Sequence, residues 1–174
     1  AGGRGVGRHG RPPRGGRTQV LTDLYTVKNE LGTLDGLTYL LVGDMRMRTM
    51  HSILYALSQF DAKAYVVGPP DMSLTPEFKA EIDALNVDYE EAGDVRDVID
   101  KADVIYMEPV VQADYTSSRV ERGDKIGVTP PEYVVTRELM REKAKRSSII
   151  LHSLPRMDEL PEDVDATRHQ RYWA

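Results

Sequence analysis

Short apolar runs alternating with helical stretches limit this chain to one broad kind of fold. Residues 38–42 (TYLLV), 64–67 (AYVV), 103–107 (DVIYM) and 148–151 (SIIL) each read as a buried strand, too short for a helix of its own. Residues 87–89 (VDY) read as a shorter strand of the same series. Helical patterns lie between them. Thr18 is a good N-cap for a helix in which Val20, Leu21, Leu24, Val27, Lys28 and Leu31 follow helical spacing, and Gly32 closes it as a C′ residue. Residues 48–60 predict a helix with Met50, Ile53, Leu54 and Leu57 facing inward. Thr75 caps a helix that starts at Pro76 and runs to about Leu85, with proline at its favoured first position. Residues 94–101 predict another helix, and Thr136 caps a last one that runs to about Arg146. Strands alternating with helices imply an α/β fold, a Rossmann-like parallel sheet with right-handed crossovers and helices on both faces.

The 174 residues suit one domain, or one large part of a two-domain enzyme. With no cysteine, disulfides, thiolate catalysis and Cys-type zinc sites are excluded, and a cytoplasmic setting fits. No apolar run of membrane-spanning length is present, and no signal-peptide pattern, so no membrane partner is expected. Residues 1–17 hold seven Gly, five Arg and two Pro, a composition expected to form a flexible segment. Such a tail can bind RNA weakly, but it carries no aromatic residue for stacking. Taking those five arginines from the total of 23 basic residues leaves 18 against 28 acids. The remainder is thus acidic, and a broad nucleic-acid surface is not expected on it.

Ligands of open α/β sheets bind beyond the carboxyl ends of the strands. Four segments qualify as candidates. After the first strand comes Gly43-Asp44, followed by Arg48 at a helix start, where exposed N–H groups and a guanidinium suit an anion; His51 lies one turn on and reads more simply as a packed histidine. Gln19 opens the first helix and can donate and accept toward a ligand above the sheet. The long irregular segment 108–135 carries Glu108, Gln112, Arg119 and Arg122, charges that on such loops are mostly solvated surface. The fourth is His152-Ser153-Leu154-Pro155-Arg156, where Pro155 presses Leu154 into an extended conformation and aims backbone carbonyls. Dinucleotide binding is disfavoured: only Gly43 of G-x-G-x-x-G is present, and the next strand ends in Gly68-Pro69-Pro70 without an acid. The four histidines are scattered, so no metal site is expected.

Residues 19–27 (QVLTDLYTV), 37–44, Arg48-Thr49-Met50-His51-Ser52, 103–107 and 152–165 (HSLPRMDELPEDVD) together resemble the C-terminal half of aspartate carbamoyltransferases. Members of that family carry V-G-D-L-K-Y-G-R-T-V-H-S and H-P-L-P-R-V-D-E-I in this order. The resemblance implies an amino-substrate-binding domain over 18–174. It implies transfer of a carbamoyl group from carbamoyl phosphate to the amine of L-aspartate, in pyrimidine biosynthesis, with no cofactor. Full-length members of the family are expected to be homotrimers. By resemblance, Gln19 holds the carbamoyl amide, Arg48 binds the aspartate carboxylate, and Gln112 matches a glutamine of the aspartate loop. Leu154 and Pro155 match the turn whose carbonyls receive the reacting amino and amide groups. His9 ends a G-x-G-V-G-x-H string like the family's G-D-G-x-G-x-H. Either His9 is the carbonyl-polarising histidine, displaced by an insertion, or that histidine is absent.

Several positions depart from the family pattern. Gly16-Arg17-Thr18-Gln19 stands where the family has H-P-T-Q, and Met47 replaces the glycine before Arg-Thr. Met107-Glu108-Pro109-Val110-Val111-Gln112 stands where many members have Met-Thr-Arg-Val-Gln, which removes the second aspartate-binding arginine from its usual place. The S-x-R-T-R phosphate motif of the N-terminal domain has no match, and neither has the last helix. The expectation is a chain that lacks the carbamoyl-phosphate domain and is inactive alone. The alternatives are a non-catalytic amino-acid-binding domain or a transferase acting on another amino acid.

Overall fold

In the computed structural model, residues 17–110 and 128–173 are described. Chain order is α1 (Arg17–Leu31), β1 (Leu37–Val42), α2 (Arg48–Leu57), β2 (Ala62–Val67), α3 (Pro76–Ala84), β3 (Asp88–Ala92), β4 (Val104–Met107), α4 (Arg137–Glu142) and β5 (Ile149–His152). The five strands form one parallel sheet in the order β3-β2-β1-β4-β5. The chain winds outward from β1 through β2 to β3. It then returns to lay β4 on the other side of β1, so the order reverses between β1 and β4. That reversal opens a crevice at the carboxyl ends of these two strands.

Each strand of the sheet centre is buried on both faces. Tyr39, Leu41, Tyr106 and Leu151 face one core with Met50, Ile53, Leu54, Leu57, Phe78 and Ile82 from α2 and α3. Leu40, Val42, Ile105, Met107 and Ile150 face the other, with Val95, Ile99, Met140, Leu160 and Val164. The four inward positions expected on α2 are all buried. Burying each such side chain contributes about 1.5–3 kcal/mol, an amount that no surface contact approaches.

Helix ends follow the capping chemistry in part. The Thr75 hydroxyl accepts from Phe78 N–H and that of Thr136 from Leu139 N–H. Gly32 takes φ +77° and donates its N–H to Lys28 O (3.0 Å). Thr18 is not an N-cap: α1 already begins at Arg17, and the Thr18 carbonyl accepts from the Thr22 hydroxyl within the helix. Residues 94–101 form no α-helix but two 3₁₀ turns, Val95–Asp97 and Ile99–Lys101. Val95, Val98 and Ile99 must reach the sheet in the short crossover to β4, and the tighter turns bring all three inward. α4 stops at Glu142, four residues early, because the chain turns there to enter β5. β3 runs past the expected 87–89: pairing with β2 draws Asp88–Ala92 into the sheet as a polar edge, where Lys63 and Lys79 meet Glu90 and Glu91. Of the Gly/Arg-rich segment 1–17, only Arg17 falls within the described residues. No helix among them is long and apolar enough to cross a membrane.

Candidate functional site at the strand ends

β1 runs out at Val42 and the chain must clear β4 at once. Gly43 permits this at φ +129°, where a Cβ would lie 2.0 Å from Glu108 O. Its N–H bonds to Val67 O (3.0 Å), which ties the turn to β2. Asp44 is buried and grips Arg46 through paired bonds of 2.8 Å. α2 then starts at Arg48, after Met47, with no side-chain cap hydrogen bond. Arg48 is exposed there. The next residue, Thr49, turns inward and donates its hydroxyl to Glu108. His51 packs flat on Phe78, ring centroids 3.7 Å apart, and burial holds its pKa below the ordinary histidine value. It belongs to the packing of α2 on α3.

Glu108 corrects a sequence expectation. Read as a solvated loop charge, it is 2 % exposed at the β1/β4 junction. Its N–H donates to Val42 O (2.9 Å), continuing the β1–β4 ladder past Met107. Burial raises its carboxyl pKa, against hydrogen bonds from Ser153 and Thr49 that favour the charged form. Two residues earlier, the Tyr106 hydroxyl donates to Asp23 (2.9 Å). Asp23 also accepts from the Gln19 amide (2.9 Å), and burial raises its pKa. Gln19 is thus tied back along α1, which orients its amide beside the β4 end.

β5 delivers the fourth piece. The His152 side chain is fully buried, and its Nε2 donates to Glu159 Oε1 (2.8 Å) while its Nδ1 accepts from Leu154 N–H (2.8 Å). The same Glu159 oxygen accepts from Met157 N–H (2.9 Å). One imidazole and one carboxylate therefore hold a turn whose Leu154 lies at φ +57°, a left-handed conformation that branched side chains rarely adopt, before a cis Leu154–Pro155 peptide. The extended Leu154 expected from the proline rule is corrected accordingly: the His152 bond holds its N–H inward instead. Arg156 forks onto Asp165 and lies over the rings of Tyr172 and Trp173. It pulls the Asp165 pKa down to about 2. Both His152 and Arg156 spend their side chains on holding this loop.

The fold therefore brings the start of α2, through Thr49, to Glu108 at the end of β4, ties the β5 turn to the same strand end through Ser153 N–H and Met107 O (3.4 Å), and sets Gln19 on α1 beside that strand. His9, Gln112, Arg119 and Arg122 lie outside the described residues. Reading the sequence alone missed Asp23, Glu108 and Glu159. The usable signal for Glu108 was its place directly after a buried parallel strand, where the ligand crevice of such sheets begins. Among the described residues no group of side chains could hold a metal ion.

The "Aspartate/ornithine carbamoyltransferase, Asp/Orn binding domain" family matches residues 35–174. The chain belongs to this family. It is 34 % identical over 173 residues to the aspartate carbamoyltransferase catalytic subunit of Methanobrevibacter smithii, covering 98 % of this chain and 50 % of that protein. The chloroplastic aspartate carbamoyltransferase of Arabidopsis thaliana is 35 % identical over 158 residues, which cover 90 % of this chain and 39 % of that protein. Among solved structures, the catalytic subunit of M. jannaschii aspartate transcarbamoylase superposes with a TM-score of 0.75 at 33 % identity, over 92 % of this chain and 52 % of that one. Aspartate transcarbamoylase from Trypanosoma cruzi, in complex with aspartate and phosphate, superposes with a TM-score of 0.72 at 30 % identity, over 90 % and 48 %. The chain spans about half the length of most of these relatives.

Proposed function

We propose that residues 18–174 form the amino-substrate-binding half of an aspartate carbamoyltransferase, working with a carbamoyl-phosphate-binding domain of the kind that fills the other half of its relatives. The observation that supports this reading is the meeting, at the strand-order reversal, of the helix start that carries Arg48, bonded through Thr49 to the buried Glu108, and the turn that Ser153 N–H ties to Met107 O. A guanidinium and a set of aimed carbonyls suit the two ends of an amino acid, carboxylate and amine.

In the reaction, the amine of L-aspartate attacks the carbonyl carbon of carbamoyl phosphate. The new C–N bond forms, the C–O bond to phosphate breaks, and the amine proton leaves with the phosphate. Positioning and electrostatic stabilisation carry such a transfer without metal or organic cofactor. Arg48 binds an aspartate carboxylate, Leu154 and Pro155 offer carbonyls to the amino and amide groups, and Gln19 holds the carbamoyl amide. Gln112 contributes from the aspartate loop, and His9 polarises the carbonyl if it reaches the site. The full assembly is a homotrimer in the cytoplasm.

Carbamoyl transfer by the purified chain is expected to be undetectable, and to appear when a domain carrying S-x-R-T-R is added. Robust turnover by the chain alone overturns the half-enzyme reading. A second reading is favoured by Glu108-Pro109 where the family has Thr-Arg: a binding domain without catalysis, or a transferase for another amino acid. Calorimetric titration with L-aspartate, with and without carbamoyl phosphate and the added domain, separates them. Binding without any turnover favours the binding domain, and no heat with L-aspartate favours another substrate.

A further inference from the structure

We infer that the cavity beside α4 and residues 166–169 is a second binding site, for a small anion that carries two or more phosphate groups. The cavity holds about 520 Å³, and Arg137, Arg141, Arg146 and Arg168 line it. It shares no residue with the strand-end site and does not depend on the function proposed above.

Such a gathering of positive charge stands out in this chain. Past the first 17 residues it holds 18 basic against 28 acidic side chains. Arg46, Arg96, Arg156 and Arg171 each grip a carboxylate. Around the cavity only Arg141 is paired, with Glu138 and Glu142 at 4.0 and 3.7 Å, loose contacts between exposed side chains. Asp163 stands beside Arg137 and Arg141 in an adjoining hollow and pairs with neither. Arg137, Arg146 and Arg168 have no ion pair among the described residues. Like charges held around one space repel each other, and an anion placed between them reverses the sign of that interaction.

The backbone under these arginines is fixed. After Arg168 the chain is laid along β5: Ile150 N–H donates to His169 O (2.7 Å) and Arg171 N–H to Ile150 O (3.0 Å). Arg146 lies in the turn into β5, where the Ser148 N–H and hydroxyl both donate to Lys145 O (3.0 and 2.8 Å). The buried His169 ring, itself part of the cavity wall, joins the two segments, since its Nδ1 donates to Ser148 O (2.7 Å). Guanidinium groups carried on a rigid frame lose less freedom on binding a ligand. Each can meet phosphate oxygens with two parallel N–H bonds. The volume is that of a small-molecule site rather than a single-ion site, and Met140, Ala144 and Ala166 add apolar lining. One short hollow on an otherwise acidic surface does not suit a nucleic acid, which needs a basic stripe.

The test uses the full chain and inorganic tripolyphosphate as the probe, at about 0.15 M salt so that loose surface attraction is screened. Calorimetric titration is expected to give a Kd below about 100 μM, with orthophosphate at least about tenfold weaker. The His169 ring resonances are expected to shift during the titration, while those of His51 and His152 stay in place. Arg146→Gln combined with Arg168→Gln is expected to weaken binding by about tenfold or more. Without the probe that variant is expected to keep its Tm, because exposed side chains without partners contribute little to folding. Lys63→Gln removes a positive charge from β2 and is expected to leave binding unchanged. Equal affinity for tripolyphosphate and orthophosphate, an equal loss in Lys63→Gln, or an unmoved His169 overturns the site. Citrate binding as tightly as tripolyphosphate overturns the phosphate assignment.

Discussion

Arg48 is the residue on which the binding reading is most exposed to test. It sits in solvent at a helix start, with no ion pair among the described residues, so it contributes little to folding. Arg48→Ala is expected to weaken amino-substrate binding by about tenfold or more while moving stability by less than about 0.5 kcal/mol. Calorimetry and a thermal melt read the two effects, and a large fall in Tm with binding unchanged would make it a structural residue. Asp165 makes the opposite kind of prediction. Arg156 holds its folded pKa at about 2, below the ordinary aspartate value, so it adds stability above pH ~4 that is lost as pH falls toward 2. Asp165→Asn is expected to flatten the stability curve between about pH 4 and 2 and to lower stability at neutral pH; urea midpoints across that range check it. Asp23 has the reverse sign. Burial raises its pKa, so its charge lowers stability as pH rises past the ordinary aspartate range.

At the scale of elements, the turns after the strands matter more than the strands. Gly43→Ala sets a Cβ 2.0 Å from the Glu108 carbonyl at a φ of +129°, and neither backbone can yield without breaking the β1–β4 ladder. It is expected to cost more than about 3 kcal/mol and to displace the site. Gly32→Ala, at φ +77° with nothing within 4 Å, is expected to cost only about 1 kcal/mol. Paired denaturation curves compare them, and equal losses would refute the crowding argument. Existence and type of the strands were legible because a both-face-buried strand shows as a plain apolar run, as in residues 38–42 and 103–107. β3 was only half legible, since Asp88–Ala92 is an edge whose pairing, not its composition, makes it a strand. Residues 94–101 misled for a related reason: their local pattern allows a helix, and the short crossover compresses it into 3₁₀ turns.

Across the whole molecule, two cores share one sheet. Leu54 lies in one and Ile150 in the other, each at 0 % exposure. Leu54→Ala and Ile150→Ala are each expected to cost about 2–5 kcal/mol and to shift the same single unfolding transition. Two separable transitions would show that the faces fold independently. Of the candidate site, Gln19, Arg48, Leu154 and Pro155 were named from sequence, because each sits in a motif carried by adjacent residues. Glu108 read only as a loop charge. Its place directly after a buried strand marked the position, but its neighbours in sequence do not give the carboxylate its bonding partner, which is Thr49, 59 positions away. The amino-acid order by itself determined the α/β class, the strands at its centre and the family, because periodicity and short motifs are properties of neighbours in the chain. Only the tertiary structure decided that the strand order reverses between β1 and β4, that His152 and Glu159 hold the Leu154 turn, and that Glu108 is buried against Thr49. Those are contacts between distant segments, and burial is settled by what packs around a residue rather than by what precedes it.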